Sequence, residues 1–246
     1  MAAIVSGRDW SDEIKDRIRR RYERLVEERD FLPEGARRMR DSGYPRAVLE
    51  RLPDELAAAY CGCGFPAAAL DLRDVRVAVD VGCGAGIDAW CLASEMRAGS
   101  AVVALDMTQA MIRMFVRSRA TRGLRASVWP VAADLERLPL ASAIADLVVA
   151  NASFNLAVDK HSAFKEAFRI LKPGGRLAAR DLIREGELPG EVLEDPLADV
   201  TSLGGAVPEE ALRQEISRAG FVRIRISDHR PFSRLTSVHI DAAKPG

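Results

Sequence analysis

The sequence has no apolar run long enough to cross a membrane, and its first seven residues lack the core of a signal peptide. Only four cysteines occur among 246 residues, without the spacing of a disulfide framework. The 36 basic and 36 acidic side chains cancel, which leaves no electrostatic footprint for nucleic acid. We therefore expect a cytoplasmic protein with neither a membrane partner nor a nucleic-acid partner.

The central motif of the chain is the stretch 77–86, where a β-branched run is followed by three alternate glycines. This pattern predicts a strand that ends in a glycine turn, and the apolar spacing after Gly86 predicts a helix. A turn of this kind directs free backbone N–H groups toward a nucleotide-like ligand. The overall composition, 48% hydrophobic and 29% charged, is that of a globular protein.

Two interpretations of the glycine turn compete. Residues 84–89 fit the dinucleotide fingerprint G-x-G-x-x-A. The longer stretch 80–86, Asp-Val-Gly-Cys-Gly-Ala-Gly, resembles motif I of the class I S-adenosylmethionine (SAM) methyltransferases. Asp80 precedes the glycines, where its carboxylate would repel a pyrophosphate and attract the cationic groups of SAM. No Gly-Lys-Ser/Thr follows, which excludes a P-loop, and SAM is favoured over NAD.

The chain divides at about residue 72. An amphipathic helix is predicted over 9–31, and prolines break 33–70 into short pieces, so we expect 1–72 to form a helical cap over the ligand end of a sheet. From residue 73 strands and helices alternate, as in a doubly wound α/β fold with a mostly parallel sheet. We interpret 73–246 as the SAM-binding domain, with predicted strands at 75–81, 101–105, 126–131, 144–150, 176–180, 221–227 and 236–242.

Residues at the predicted strand ends are further candidates for cofactor binding. Asp106 can accept hydrogen bonds from both ribose hydroxyls of NAD or SAM, and Met107 can lie against an adenine face. Ala133 and Asp134 can contact the adenine edge, although Asp134 also fits a turn or helix-capping residue. Asn151 fits either a ligand contact or a strand-ending turn.

These features, together with the Leu-Lys-Pro-Gly-Gly turn at 171–175, occur in an order that resembles the class I SAM-dependent methyltransferases over residues 73–242. The resemblance implies a Rossmann-like sheet of seven strands, of which the last is antiparallel. It also implies SAM as methyl donor, S-adenosylhomocysteine as product and no metal site. The cofactor contacts that it implies in motif I come from Asp80, Gly82, Cys83, Gly84 and Gly86.

Several stretches more specifically resemble the arsenite methyltransferases, namely 60–66, 106–111, 155–160, 164–175 and 203–206. In that family three or four cysteines bind trivalent arsenic as thiolates, because a soft centre prefers sulfur ligands. Cys63 falls on one of these cysteines, whereas Ala152 and Ser202 occupy the positions of two others. Cys61 could supply a second thiolate, and these two cysteines are the candidate catalytic residues.

The remaining cysteines, Cys83 and Cys91, are interpreted as a turn residue and a core residue. We expect a SAM-dependent methyltransferase that acts on a small molecule without the thiol relay. Two alternatives stay open: methylation of a trivalent arsenical held by Cys61 and Cys63, or a non-catalytic SAM-binding regulatory subunit. If the acceptor needs a general base, the candidates are His161, His229, Tyr22 and Tyr44. The sequence predicts neither the accepting atom nor the oligomeric state.

Overall fold

The computed structural model describes residues 7–28, 35–68, 70–118, 123–187 and 201–246. Its helices are α1 (Gly7–Glu27), α2 (Gly35–Asp41), α3 (Arg46–Leu49), α4 (Asp54–Ala58), α5 (Ile87–Glu95), α6 (Gln109–Arg117), α7 (Lys160–Ile170), α8 (Ser202–Gly205) and α9 (Glu209–Arg218). Its strands are β1 (Val77–Val81), β2 (Ala101–Asp106), β3 (Ser127–Ala132), β4 (Ala145–Asn151), β5 (Leu171–Ile183), β6 (Val222–Phe232) and β7 (Leu235–Ala243). The last residues of the predicted first helix, 29–31, lie outside the described residues.

The seven strands form one sheet in the order β3-β2-β1-β4-β5-β7-β6. Strands β1 to β5 pair in parallel, and β7 pairs antiparallel with both β5 and β6. The central strands are apolar and buried because helices cover both faces of the sheet. Ala78 belongs to the core on one face and Val79 to the core on the other. The predicted α/β fold, with its antiparallel last strand, is confirmed.

Two strands are longer than their sequence patterns predict. β5 begins at Leu171, but its register with β4 shifts between the pairs Ala145–Leu171 and Leu147–Arg176, so the Lys-Pro-Gly-Gly segment loops out of the ladder. β6 continues past the predicted end at residue 227 through a second irregularity, where Asp228 adopts a φ of 51°. Such bulges break the alternation of apolar and polar residues, which is one of the strand signals in a sequence.

The helices before β1 pack on the same face of the sheet as α5 and α6. Met39 and Leu56 are fully buried in one core cluster with Trp90 of α5. α1 lies against α6, and Ile18 of α1 is 1% exposed. The division of the chain at residue 72 remains a prediction. Among the described residues, no helix combines the length and apolarity that a membrane span requires.

The glycine turn between β1 and α5 has a backbone conformation that residues with a Cβ atom adopt only with strain. Gly86 caps α5 with a φ of 81°, in the left-handed region. A Cβ atom at this position would lie 2.4 Å from the ring of Phe115 on α6. Two constraints therefore require glycine here: the sign of φ, and the close packing of α6 against the turn.

We expect Gly86→Ala to lower the free energy of unfolding by about 2–4 kcal/mol, because strain at positive φ adds to a steric clash. Gly99→Ala is the matched control, since Gly99 has a φ of 83° and nothing lies within 4 Å of its Cβ position. The control should lose only about 1–2 kcal/mol in urea unfolding. Equal losses in the two variants would show that the contact with Phe115 is unimportant.

Candidate functional site

A cleft opens at the carboxyl ends of β1, β2 and β4, where parallel α/β sheets bind ligands. Its empty volume is about 950 Å³, part of which is open to solvent. The glycine turn forms one wall, and the turn 60–62 before the sheet forms another. Lys15, Ile18 and Tyr22 of α1 also line the cleft. The fold thus brings the N-terminal helix and the strand-end residues to one site.

Within the glycine turn, Gly82, Cys83 and Gly84 line the cleft. The backbone of the turn is fixed by β2, because the N–H groups of residues 82 and 83 both donate to the carbonyl of Leu105, at 2.8 and 2.9 Å. A Cβ atom on Gly84 would meet no protein atom within 4 Å, so this part of the turn leaves room for a ligand. Gly86 packs on Phe115 instead.

Asp80 lies near the end of β1, just before the glycine turn, as its position in motif I predicts. Its carboxylate is 1% exposed and accepts a hydrogen bond from the N–H of Ala89 at 2.9 Å, so it binds the first turn of α5. Burial and the charge of Asp88 raise the pKa of Asp80 well above its usual range. A direct cofactor contact from Asp80 stays a prediction. The contact that the structure shows for its carboxylate is the hydrogen bond to α5.

Asp106 lies at the end of β2 and faces the cleft. Its Oδ2 accepts from the N–H of Gly84 at 2.8 Å, and its Oδ1 accepts from the N–H of Thr108 at 2.7 Å. Burial raises the pKa of Asp106, and these two hydrogen bonds act in the opposite direction. Each oxygen retains a second lone pair for a ligand hydroxyl. Met107 lines the cleft beside it.

Ala133 and Asp134 line the cleft after β3, but Asp134 already has protein partners. Its Oδ1 accepts from the N–H of Glu136 at 2.9 Å, which is a turn contact, and its Oδ2 accepts from Lys15 Nζ at 2.8 Å. Lys15 also forms an ion pair with Glu136. Burial opposes the charge of Lys15, but the hydrogen bonds to the two carboxylates prevail and raise its pKa. These ion pairs hold α1 over the cleft.

Asn151, at the end of β4, connects three parts of the chain. Its Oδ1 accepts from the N–H of Cys63 at 2.9 Å, and its Nδ2 donates to the carbonyl of Gly64 at 2.8 Å. The same Nδ2 lies 2.9 Å from Asp88 Oδ2 and 3.1 Å from the Tyr44 hydroxyl. Asn151 lines the cleft, but these contacts use its side chain mainly to position other residues.

Asp88 is a cleft residue that sequence reasoning missed. It lies in the first turn of α5, is 7% exposed, and accepts a 2.8 Å hydrogen bond from the Tyr44 hydroxyl at Oδ1. Burial raises its pKa to about 6, although the hydrogen bonds from Asn151 and Tyr44 favour the charged form. Only its position two residues after the glycine turn could have suggested it.

The two candidate thiols face different surroundings. Cys61 is exposed and lines the cleft, where desolvation by the surrounding chain raises its pKa. Cys63 is 4% exposed and packs in an apolar cluster with Leu182, Ala206 and Leu235. Burial, followed by the charge of Asp181, raises the pKa of Cys63 to about 12. The thiol of Cys63 is therefore protonated at neutral pH, and the cleft wall presents Cys61.

The close approach of Gly62 to Asn151 explains why Cys61 lines the cleft while Cys63 is buried. A Cβ atom at Gly62 would lie 2.5 Å from Asn151 Nδ2, so only glycine lets the turn approach β4. The carbonyl of Cys63 accepts a 2.7 Å hydrogen bond from the hydroxyl of Ser237, and this bond holds Cys63 against β7. Packing against Asn151 therefore requires glycine at position 62.

Of the four candidate bases, one lines the cleft, one is buried outside its lining, and two are partly exposed. Tyr22 lines the cleft, and burial raises its pKa. Tyr44 is 3% exposed and uses its hydroxyl as a donor to Asp88, and burial also raises its pKa. His161 lies 3.4 Å from Glu215, and His229 lies 2.7 Å from Glu209, both outside the cleft. Tyr22 is therefore the candidate that lines the cleft.

Residues 73–220 match the family described as "Methyltransferase domain". The chain is 30% identical to the arsenite methyltransferase of Halobacterium salinarum over 166 residues, which are 68% of this chain and 42% of that protein. It is 33% identical to the arsenite methyltransferase of Aquipseudomonas alcaligenes over 194 residues, or 76% and 56% of the two chains. The chain spans about half the length of the curated relatives that it matches.

Solved structures show the same architecture. An arsenic(III) S-adenosylmethionine methyltransferase from Chlamydomonas reinhardtii aligns with a TM-score of 0.65 and 22% identity over 87% of this chain and 74% of that one. The [4+2]-cyclase SpnF aligns with a TM-score of 0.58 and 18% identity, over 73% and 78%. At these identities the likeness establishes the fold alone.

The fold is that of the class I methyltransferases. The chain belongs to the methyltransferase domain family, which its match over more than half of its length establishes. The predicted resemblance to the arsenite methyltransferases is confirmed by the relatives at about 30% identity.

The ion pairs of Lys15 predict that this side chain stabilises α1 over the cleft. We expect Lys15→Met to speed tryptic cleavage within Arg19–Arg21 and to weaken S-adenosylhomocysteine binding about fivefold, because a partly buried ion pair contributes about 1 kcal/mol. Lys165→Met, an exposed residue on α7, is the control. Unchanged cleavage and affinity in Lys15→Met would contradict this role.

The pKa of Asp88 predicts a pH dependence of stability. Between about pH 4, its unfolded pKa, and pH 6 only the folded protein retains this proton, so the free energy of unfolding falls as the pH rises. The loss attributable to Asp88 is at most about 3 kcal/mol and levels off above pH 6. Urea unfolding across this range should show a shallower decline in Asp88→Asn. Parallel declines would contradict the assignment.

Proposed function

We propose that the protein is a SAM-dependent methyltransferase that transfers a methyl group to a small molecule. The observation that carries the proposal is the cleft at the carboxyl ends of β1, β2 and β4, bounded by Gly82–Gly84 and the carboxylate of Asp106. Membership of the methyltransferase domain family supports it. The enclosure of the cleft by α1 and the turn 60–62 favours a small acceptor over a macromolecule.

The residues of the cleft fit SAM better than a dinucleotide. Asp106 would accept hydrogen bonds from the ribose hydroxyls, and Met107 would lie against the adenine. Ala133 and Asp134 would border the adenine edge, with Asp134 already neutralised by Lys15. The carboxylates of Asp88 and Asp106, which line the cleft, favour a cationic ligand and disfavour a pyrophosphate.

Bound SAM supplies an electrophilic methyl group on a sulfonium centre. An acceptor held in line with the sulfonium would receive this methyl group, and S-adenosylhomocysteine would remain. Alignment of the acceptor atom, the methyl carbon and the sulfur provides most of the rate advantage, so the main tasks of this chain are to orient the reactants and exclude water. Tyr22 and Cys61 line the cleft and would contact the acceptor.

A second candidate function is methylation of a trivalent arsenical, which the arsenite methyltransferase relatives favour. Here it would depend on Cys61, because Cys63 is buried and Ala152 and Ser202 stand at the other two thiol positions. A mono- or dimethylated arsenical needs fewer sulfur ligands than arsenite. A third possibility, a non-catalytic SAM-binding subunit, predicts binding without turnover.

The proposal is tested by isothermal titration with S-adenosylhomocysteine and, separately, with NADH. We expect micromolar binding of the former alone, weakened at least about tenfold by Asp106→Asn, since the amide accepts fewer hydrogen bonds. Asp71→Asn, at an exposed site, is the control with the same chemical change. Binding of NADH alone, or of neither ligand, would overturn the cofactor assignment.

Turnover then separates the acceptor classes. Transfer of labelled methyl from SAM should be measured over a panel of small nucleophiles that includes mono- and dimethylated trivalent arsenicals. Transfer to an arsenical that Cys61→Ser abolishes and Cys63→Ser preserves would assign the arsenical function. Binding of S-adenosylhomocysteine without transfer to any acceptor would favour the regulatory subunit.

A further inference from the structure

Arg180 is a buried cation near the end of β5 that the proposed reaction does not use. Its side chain is 2% exposed, and the register of the sheet places it beside Asn151 of β4. Among the described residues it forms one ion pair, between its Nη2 and the Oδ2 of Asp228 on β6. Its Nη1 also donates to the carbonyl of Asp228 at 2.8 Å. A buried cation needs such a partner, because its removal from water is costly.

The irregular part of β6 supplies both of these acceptors. The register between β6 and β7 shifts between Ser227 and Arg230, and Asp228 adopts a φ of 51°. A bulge changes the direction of a side chain, and here it brings the carbonyl and the carboxylate of Asp228 to the same guanidinium. Arg230 Nε also donates to Asp228 Oδ1 at 3.1 Å. The half-exposed carboxylate of Asp228 therefore lies between two guanidinium groups.

The side chain of Arg180 also packs against the turn that precedes the sheet. A Cβ atom on Gly64 would lie 2.6 Å from both Cδ and Nε of Arg180, so this turn lies directly on the arginine. Within the described part of the chain, that Nε has no hydrogen-bond partner. The carbonyl of Gly64 accepts from Asn151 Nδ2 at 2.8 Å. Two neighbouring side chains thus support the turn 62–64, Asn151 by hydrogen bonds and Arg180 by packing.

We propose that Arg180 is a positioning residue for the acceptor side of the cleft, and that its ion pair with Asp228 holds the turn 62–64 against β4 and β5. This inference rests on the proposed function, in which Cys61 contacts the acceptor. Because Cys61 directly precedes this turn and lines the cleft, a shift of the turn would change the surface that the acceptor meets. The proposed cofactor contacts come from the ends of β1 and β2, so they do not depend on Arg180.

Two buried thiols report separately on the turn and on the core. Cys63 lies in the turn and is 4% exposed, whereas Cys91 of α5 is 2% exposed. Iodoacetamide reaches a buried thiol only when its surroundings open, so the rate of alkylation follows the opening equilibrium. Tandem mass spectrometry distinguishes the two sites. The ratio of the alkylation rate at Cys63 to that at Cys91 therefore measures local opening of the turn, and a general loss of stability does not raise this ratio.

Arg180→Met keeps an unbranched apolar side chain under the turn and removes the ion pair. We expect it to raise the ratio at least about fivefold, which lies within the range of coupling between residues in contact. Arg180→Lys retains a cation for Asp228 and should stay within about twofold of the wild-type ratio. Arg176→Met is the matched control, because it breaks an ion pair with Asp241 at the other end of β5. This control should leave the ratio unchanged.

Asp228→Asn keeps the proposal testable if Arg180→Met does not fold, because the change is made at a half-exposed site. It should raise the ratio at least about threefold, since the buried guanidinium loses its counter-charge. Isothermal titration should show that the affinity of each folded variant for S-adenosylhomocysteine stays within about threefold of the wild-type value.

Three results would overturn the role of Arg180. They are an unchanged ratio in Arg180→Met or, if that variant does not fold, in Asp228→Asn, an equal rise in Arg180→Lys and Arg180→Met, and a loss of S-adenosylhomocysteine affinity as large as the rise in the ratio. Failure of the wild-type protein to bind S-adenosylhomocysteine would instead overturn the proposed function. The two failures are distinguishable, because the alkylation measurement uses no ligand.

Discussion

The arrangement of the site depends on the hydrogen bonds of one amide, that of Asn151 at the end of β4. This side chain contacts the backbone at Cys63 and Gly64, the carboxylate of Asp88 and the hydroxyl of Tyr44. It therefore joins β4, α5 and the segment before the sheet at one point. Buried polar groups that satisfy one another in this way fix a single geometry, because each unpaired partner would be costly.

The contacts of Asn151 also place Cys61 and Cys63 in different surroundings, although the sequence predicted the same role for both. Because Gly62 packs directly on Asn151, the turn presents Cys61 to the cleft and places the thiol of Cys63 in an apolar cluster. The likeness to arsenite methyltransferases extends over 68–76% of the chain in sequence and over the fold. The cleft is lined by the exposed residue Cys61 together with Tyr22 and Tyr60.

The parts of the fold and the site that could be predicted are those with a signal in a short stretch of sequence. Short stretches of sequence predict the apolar run of β1, the glycines after it and the strand-end position of Asp106. The structure brings these features together at one edge of the sheet. The contacts of Asp88 could not be predicted in this way, because its partners Tyr44 and Asn151 are 44 and 63 residues away in sequence. Likewise, only the fold brings Lys15 to Asp134, 119 residues later.

A crystal structure of the protein with saturating S-adenosylhomocysteine tests the account most directly. We expect the ribose hydroxyls within about 3 Å of the Asp106 carboxylate and the amino-acid end of the ligand beside Gly82–Gly84. We also expect Asn151 to keep its contacts with Cys63 and Gly64. A ligand bound elsewhere, or an empty cleft at a saturating concentration, would contradict the account.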